Sequence, residues 1–384
     1  MPSERRAPAV AREPLAVPAI DFLSPSALDA EAEREWSLLA ADAAEPNVFA
    51  ESWFALPSLR HLAKDGDIAL AVCRSGGVLI GVMPLWIASR YGRMRVRHVA
   101  NWRHHHAFLG TPLIKAGHER SFWAALLDTL DTTHWASGFL HVEGLVEGGP
   151  VHAGLVAATA ERGRAAPVVH RHCRALLESD LDPATYYERN VRAKKRKEIR
   201  RLSSRLGELG NVRAHRLAPG EDVTEYCDLF LALERSGWKG RAGSALAHRR
   251  ETEAFFRDVV AGAQAEGRLD FIRLDLDSRP VAMLVNFLAP PGAFSFKIAF
   301  DEAYARFSPG VLIELENLQI LSRPEIDWMD SCAAERHSMI DSLWGERRSI
   351  VRISVRLSGI RRGLTYGACR ALETGSAWRR RWAA

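Results

Sequence analysis

One stretch limits the folds open to this chain more than any other: Phe294 to Leu318, where an alternating run gives way within a few residues to a helical one. Phe294, Phe296, Ile298 and Phe300 alternate with Ser295, Lys297 and Ala299, the period of a strand with two unlike faces. Val311, Leu312, Leu315 and Leu318 then fall at the spacing of a helix with one buried stripe. Between them, Ser308 can cap the new helix, Pro309 suits its first turn, and Gly310 puts no side chain in a ligand's way. A strand that delivers the chain onto a helix start presents unpaired N–H groups and the positive end of the macrodipole, a place for phosphate. Arg306 on the approach adds a full charge. The same residues also suit an ordinary capped connection. Neither GxGxxG nor GxxxxGK[ST] occurs, so any nucleotide-type cofactor must be held by another fold.

The run from Lys297 to Leu312 reads Lys-Ile-Ala-Phe-Asp-Glu-Ala-Tyr-Ala-Arg-Phe-Ser-Pro-Gly-Val-Leu. It is preceded by Glu-Arg-Ser-Gly-Trp-Lys-Gly from Glu234 and followed by Asp-Trp-Met-Asp from Asp327. Together these motifs resemble the GNAT-superfamily acyltransferases of the Fem-like branch, and more closely the bacterial acetyltransferases associated with cellulose and exopolysaccharide biosynthesis. The resemblance covers residues 186–355 and is weaker over the first half. It implies an α/β fold of tandem GNAT-like domains, each a mixed, mostly antiparallel sheet flanked by helices. It also implies acetyl-CoA or another acyl-CoA as cosubstrate. Ile298 and Ala299 would line the pantetheine arm; Ser308, Pro309, Gly310 and Val311, with Arg306, would receive the pyrophosphate. The family's usual loop is richer in Gln/Arg and Gly than this one.

A chain of 384 residues suits two domains. The expected division is a loose arm over 1–19, a first domain over 20–178, a second over 179–355 and a basic amphipathic tail over 356–384. A repeated layout supports it. Arg74-Ser75-Gly76-Gly77-Val78 aligns without gaps over Asp277-Ser278-Arg279-Pro280-Val281, each flanked by apolar strands and preceded by a helix. In place of Ser-Pro-Gly the first copy has Gly110-Thr111-Pro112, with a helix only around residues 120–130. The first domain is therefore expected to shape an acceptor pocket or an interface rather than hold cofactor. His104, His105 and His106 read as a polar patch or a surface loop, not a metal site. A strand would send them to alternate faces, and no Cys, Asp or Glu stands nearby at ligand spacing.

Five scattered cysteines without a CxxC read as reduced, intracellular thiols. No apolar run reaches bilayer-spanning length and the N-terminus has no signal-like core, so the expected address is cytoplasmic. The net charge of +5 is unevenly placed. Arg192 to Arg205 is a basic run with Ile199, Leu202, Leu206 and Leu209 as its apolar stripe. Without interleaved aromatics it does not point to specific nucleic acid. A solvated face, cofactor phosphates, an anionic polymer or an anionic membrane surface remain open to it. In the tail, Leu357, Ile360, Leu364, Cys369 and Leu372 with Arg356, Arg361, Arg362 and Arg370 form a second amphipathic basic segment, to dock on the body or touch lipid.

Acyl transfer from a thioester to an amine or hydroxyl needs a polarised carbonyl, a deprotonated nucleophile and a proton donor for the leaving thiolate. Glu234, Trp238 and Lys239, beside permissive glycines, suit an acceptor-side loop, and Lys297 can face the same cleft. A core plug and surface charges are the plain alternatives. Asp330 is expected at the end of the next strand, with His337 and Asp341 at i and i+4 on one helix face as a base and its orienting carboxylate. The expected acceptor is a small molecule or a saccharide. An aminoacyl-tRNA-dependent transferase and a silent binding protein are the rivals.

Overall fold

The computed structural model describes residues 17–64, 68–218 and 220–382, with side chains up to residue 373. The first half of the chain runs β1 (Ala19–Leu23), α1 (Ala30–Ala41), α2 (Ser52–Leu62), β2 (Ile68–Ser75), β3 (Val78–Ala88), β4 (His98–Asn101), β5 (Leu113–Ile114), α3 (Glu119–Thr132), β6 (Phe139–Val146), α4 (Pro150–Glu161) and β7 (Val168–Glu178). The second runs α5 (Pro183–Asn190), α6 (Ala193–Gly207), β8 (Val212–Arg216), α7 (Val223–Ser236), α8 (Trp238–Arg241), α9 (Arg250–Ala265), β9 (Leu269–Leu276), β10 (Arg279–Ala289), β11 (Gly292–Phe300), α10 (Pro309–Asn317), β12 (Trp328–Asp330), β13 (Glu346–Arg356) and α11 (Ile360–Trp382). Most of the expected arm lies outside the described residues; its last residue, Ala19, already belongs to edge strand β1.

Both expected hairpins form on two-residue turns. Gly76 and Gly77 take φ of 57° and 82°, and Asp277 takes φ 55° before Ser278. These are the left-handed values that match the twist of the flanking strands. The turns correspond two residues away from the ungapped alignment. Asp182 also acts as its sequence suggests, its side chain accepting from the Ala184 and Thr185 amides to start α5.

The sheet order is β1-β2-β3-β4-β6-β13-β7-β12-β11-β10-β9-β8. It reads as the same strand series from either end, which establishes the repeat at the level of topology. At the centre the two halves exchange strands. β7, from the first half, pairs with β12, while β13, from the second, pairs with β6, and β7 and β13 pair with each other from Glu346↔Leu176 to Ile353↔Val168. The result is a mixed α/β fold on one mostly antiparallel sheet.

The alternation along β11 is broken. Val285 faces Lys297 and Asn286 faces Ser295, so Phe296 is an extra residue in a bulge. Phe294, Phe296 and Ala299 pack into a core shared by both halves, with Phe49, Phe54, Leu109, Phe255 and Phe287. Ile298 and Phe300 turn to the opposite core, with Val311 and Leu312 of α10. The single apolar face expected for Phe294 to Phe300 thus becomes two. Burying each such large side chain contributes roughly 1.5–3 kcal/mol, so the seam between the halves is a true core.

A buried polar chain fixes α10 against β9 and β10. The Asn286 amide donates to Asp270 at 2.8 Å and to Asn317 at 2.7 Å, and Asn317 donates to Glu314 at 3.1 Å. In α6, Ile199, Leu202 and Leu206 are buried as expected, whereas Leu209 lies past the helix and is exposed. The tail docks through Tyr366 and Cys369 on Tyr91 and Phe139, with Arg362 donating to the carbonyls of Leu130, Asp131, Thr133 and Ala136 at the end of α3. The expected tail stripe is only half used: Ile360, Leu364 and Leu372 are 83%, 70% and 53% exposed. Among the described residues, no helix is long and apolar enough to cross a membrane.

Candidate active site where two strands part

β11 and β12 run parallel and pair at only three positions, Gly292↔Trp328, Ala293↔Met329 and Phe294↔Asp330. There β12 ends, Cys332 turning into the left-handed region at φ 52°, while β11 continues along β10 to Phe300. From Ser295 onward, the β11 edge turned toward β12 has no strand partner. The Ile298 carbonyl on this stretch instead accepts from Lys239 Nζ at 3.2 Å. A pocket runs beside it between Leu233, Gly237, Trp238, Ile298 and Glu302.

The first half shows what a closed version looks like. β4 and β6 pair in parallel at Val99↔Leu140 and Ala100↔His141. Beyond that, the Asn101 side chain fills the gap, donating to the Gly110 and Glu143 carbonyls at 3.0 and 2.9 Å and accepting from the Glu143 amide at 2.9 Å. A Cβ on Gly110 would lie 2.0 Å from the Glu143 carbonyl oxygen, so only glycine closes the gap this way.

The bulge sets Lys297 beside the Phe296 ring, 5.3 Å from its centroid. Its amine makes no ion pair or hydrogen bond among the described residues. Burial, then the neighbouring Lys239 charge, brings its pKa down to about 8, with Glu234 opposing. Lys239 itself pairs with buried Glu234 at 2.9 Å. His104 and His106 lie within electrostatic reach of Lys297, on a loop after β4. His104 stacks on Phe54 and His106 on Phe255. Burial pushes the pKa of His106 down to about 3 and that of His104 well below the usual value, so both imidazoles are neutral. His105 is exposed. Among the described residues there is no group of three or more metal-ligating side chains.

Several expected site residues stand elsewhere than the sequence suggests. Asp330 is fully buried and engaged. Arg174 Nη2 donates to it at 2.8 Å, Arg174 Nε lies 2.7 Å away without hydrogen-bond alignment, and Arg348 Nη1 donates at 3.2 Å. Burial alone would raise its pKa, but Arg174 and Arg348 outweigh that and hold it below the usual carboxylate value. Such a carboxylate is an anchor for the strand end, not a base. His337 is exposed, on a turn, and no helix brings it to Asp341; only the backbone joins them, Asp341 N to His337 O at 2.9 Å. The Asp341 side chain pairs with Arg347 at 3.5 Å.

The turn before α10 is also tighter than expected. Ser308 takes φ 53° and its side chain caps nothing. The Val311 and Leu312 amides both donate to the Ser308 carbonyl, and Pro309 has no N–H. Only the Gly310 amide is left over. A Cβ there would touch Met339 Sδ and Phe300 at 3.5 Å, so the α-carbon of Gly310 packs on protein while its N–H points elsewhere than into the helix ladder. Arg306 is exposed, its guanidinium 4.7 Å above the Phe307 ring. α6, with its basic run, packs against α10 and the 302–307 turn. Trp238 is exposed, its backbone amide donating to Glu302. Arg174, Arg348 and His106 were not named as site residues from sequence. Only the histidine run carried any signal.

Residues 193–346 match the family model described as an acetyltransferase (GNAT) domain. No curated protein matches the chain. Among solved structures, FemX superposes with a TM-score of 0.57 at 9% identity, covering 86% of this chain and 97% of that one. A conserved protein of unknown function from Bacteroides thetaiotaomicron also superposes at 0.57, with 13% identity, covering 88% and 99%. Identities this low speak for the fold alone. The match over residues 193–346 is to an acetyltransferase domain, and together with the shared fold it supports an acyltransferase.

Proposed function

We propose that the second half transfers an acyl group from acyl-CoA, acetyl-CoA being the simplest donor, to an amine or hydroxyl in the cytoplasm. The observation that carries this is the parting of β11 from β12, which leaves backbone groups at Ile298 and Ala299 open to a pantetheine arm. Lys239 must release the Ile298 carbonyl when the arm enters. The turn at Ser308, Pro309, Gly310 and Val311 would face the pyrophosphate with the Gly310 amide, and Arg306 and the basic side of α6 supply the countercharge. Lys297 takes the proton from the acceptor as its nitrogen or oxygen attacks the thioester carbonyl; the C–S bond then breaks and CoA leaves as a thiolate that is reprotonated. Glu234 and Trp238 line the acceptor side. A saccharide or cell-envelope precursor is the acceptor class that the sequence resemblance supports. Calorimetry tests the donor: acetyl-CoA or a longer acyl-CoA is expected to bind and aminoacyl-tRNA not to, whereas the reverse would favour a tRNA-dependent transferase.

The exposed Ile360, Leu364 and Leu372 on α11, beside exposed Arg356 and Arg361, fit an anionic membrane surface. The protein is expected to sediment with phosphatidylglycerol vesicles and not with phosphatidylcholine ones, and Leu364→Glu to abolish this. Equal recovery with both lipids would remove the membrane from the account.

A further inference from the structure

The first half holds a second pocket, unrelated to the parting of β11 and β12. Strand register lines up Trp86, Ala100, His141 and Ser354 across β3, β4, β6 and β13, with Glu143 opposite Arg352. α1 and α2 pack over Leu70, Val72 and Val82 on one side, and α11 covers Tyr91 and Phe139 on the other. Between these covers lies an open pocket of about 280 Å³ lined by Trp86, Arg90, His98, Arg103 and Glu143.

Its polar groups are fixed in place. Glu143 accepts from Arg103 Nη2 at 3.2 Å, with His141 Nε2 at 3.4 Å and Arg352 Nε at 3.7 Å. His141 Nδ1 lies 2.9 Å from Ser354 Oγ, which in turn is 3.1 Å from the Tyr91 hydroxyl. With Nε2–H turned to Glu143, Nδ1 accepts from Ser354, so one chain of bonds sets the imidazole and the carboxylate together. The His141 hydrogen bond, reinforced by Arg352 and Arg103, outweighs burial and brings the Glu143 pKa down to about 2, so the carboxylate is charged throughout the neutral range. Arg103 Nε is buried and has no hydrogen-bond partner. At the rim Trp86 is 36% exposed, and its indole makes no ring contact or hydrogen bond among the described residues.

An uncovered aromatic face beside a fixed carboxylate and guanidinium matches a ring with a C–H face and a hydroxyl edge. A purely apolar ligand would desolvate Glu143 and Arg103 without replacing their hydrogen bonds. A phosphate would meet the Glu143 charge but also Arg90 and Arg103, so a sugar phosphate is the competing occupant that the test separates. We propose that this pocket is a saccharide subsite, in which Trp86 stacks on a pyranose and Glu143 and Arg103 bind its hydroxyls. The inference is independent of the acyltransferase reading, because it requires no acyl donor.

The test is saturation-transfer NMR and titration on the full chain without CoA, using glucose, β-linked gluco-oligosaccharides, glucuronic acid and glucose 6-phosphate. Neutral oligosaccharides are expected to give a saturable signal, and Trp86→Ala, a change at an exposed position, to weaken binding about tenfold or more with an unchanged melting temperature. Glu143→Gln is expected to weaken it as well. No signal from any saccharide, affinity indifferent to Trp86→Ala, or glucose 6-phosphate binding more tightly than glucose would each overturn the assignment. Loss of acetyl-CoA binding elsewhere would not.

Discussion

Lys297→Met is expected to lower kcat by about 100- to 1,000-fold, the range for removing a positioned general base. The side chain keeps its length and apolar stem, so the Phe296 contact and the shared core should persist and the melting temperature should hold or rise. The effect has a pH signature. With a pKa near 8, the amine is mostly protonated at pH 6 and cannot accept a proton. Activity should therefore climb through pH 7 and 8 and level off above, the direction set by the neutral form being the active one. In Lys297→Met that limb should vanish, and Lys297→Arg, always charged, should not restore it. A kcat within a few-fold of wild type, or an unmoved pH limb, would remove Lys297 from the chemistry and leave it a packing residue.

Arg174→Met is expected to destabilise the protein by about 3–5 kcal/mol, because it leaves the fully buried Asp330 charge with Arg348 alone. Arg174 belongs to β7, Asp330 to β12 and Arg348 to β13, so the cluster fastens the exchanged strands together. Arg174 Nη1 also donates to the Phe108 carbonyl at 2.9 Å, tying in the histidine loop. The Asp330 pKa is depressed in the fold, so its contribution is present above the unfolded-state value and is lost as pH falls through the folded one. Urea unfolding at neutral pH measures the loss. Adding Asp330→Asn should recover part of it, since the stranded charge is then gone. A loss below about 1 kcal/mol for Arg174→Met would mean that water or Arg348 already satisfies the carboxylate.

The parts of this architecture that local chemistry dictates were legible in the sequence. Gly76-Gly77 announced a turn, Asp182-Pro183 a helix start, and Ile199, Leu202 and Leu206 a buried stripe. The strand, turn and helix from Phe294 to Asn317 were equally plain. What escaped depends on partners distant in the chain. The Phe296 bulge arises from pairing with β10, and a strand's own alternation cannot show that its neighbour is one residue short. The exchange of β7 and β13 is a pairing between residues far apart in sequence. Asp330 read as a catalytic candidate because its neutralising partners, Arg174 and Arg348, are contributed by other strands. His337 and Asp341 had the spacing of a helix pair, but the chain there only turns and forms a short 3-10 segment over Ile340–Ser342. Ile360 and Leu364 read as part of a docking stripe because periodicity marks an apolar face without saying what covers it.

Acetyl-CoA titrated into the wild-type chain and into Ser308→Asp measures the central claim most directly, that a thioester cofactor lies along β11 with its pyrophosphate at the turn before α10. Aspartate tolerates the left-handed backbone at this position and favours a helix N-terminus, so the fold should be at least as stable. Its charge would face the pyrophosphate, and binding should weaken about 10- to 100-fold, or roughly 1.4–2.8 kcal/mol. Absence of binding to the wild type, or equal affinity in both proteins, would contradict the account.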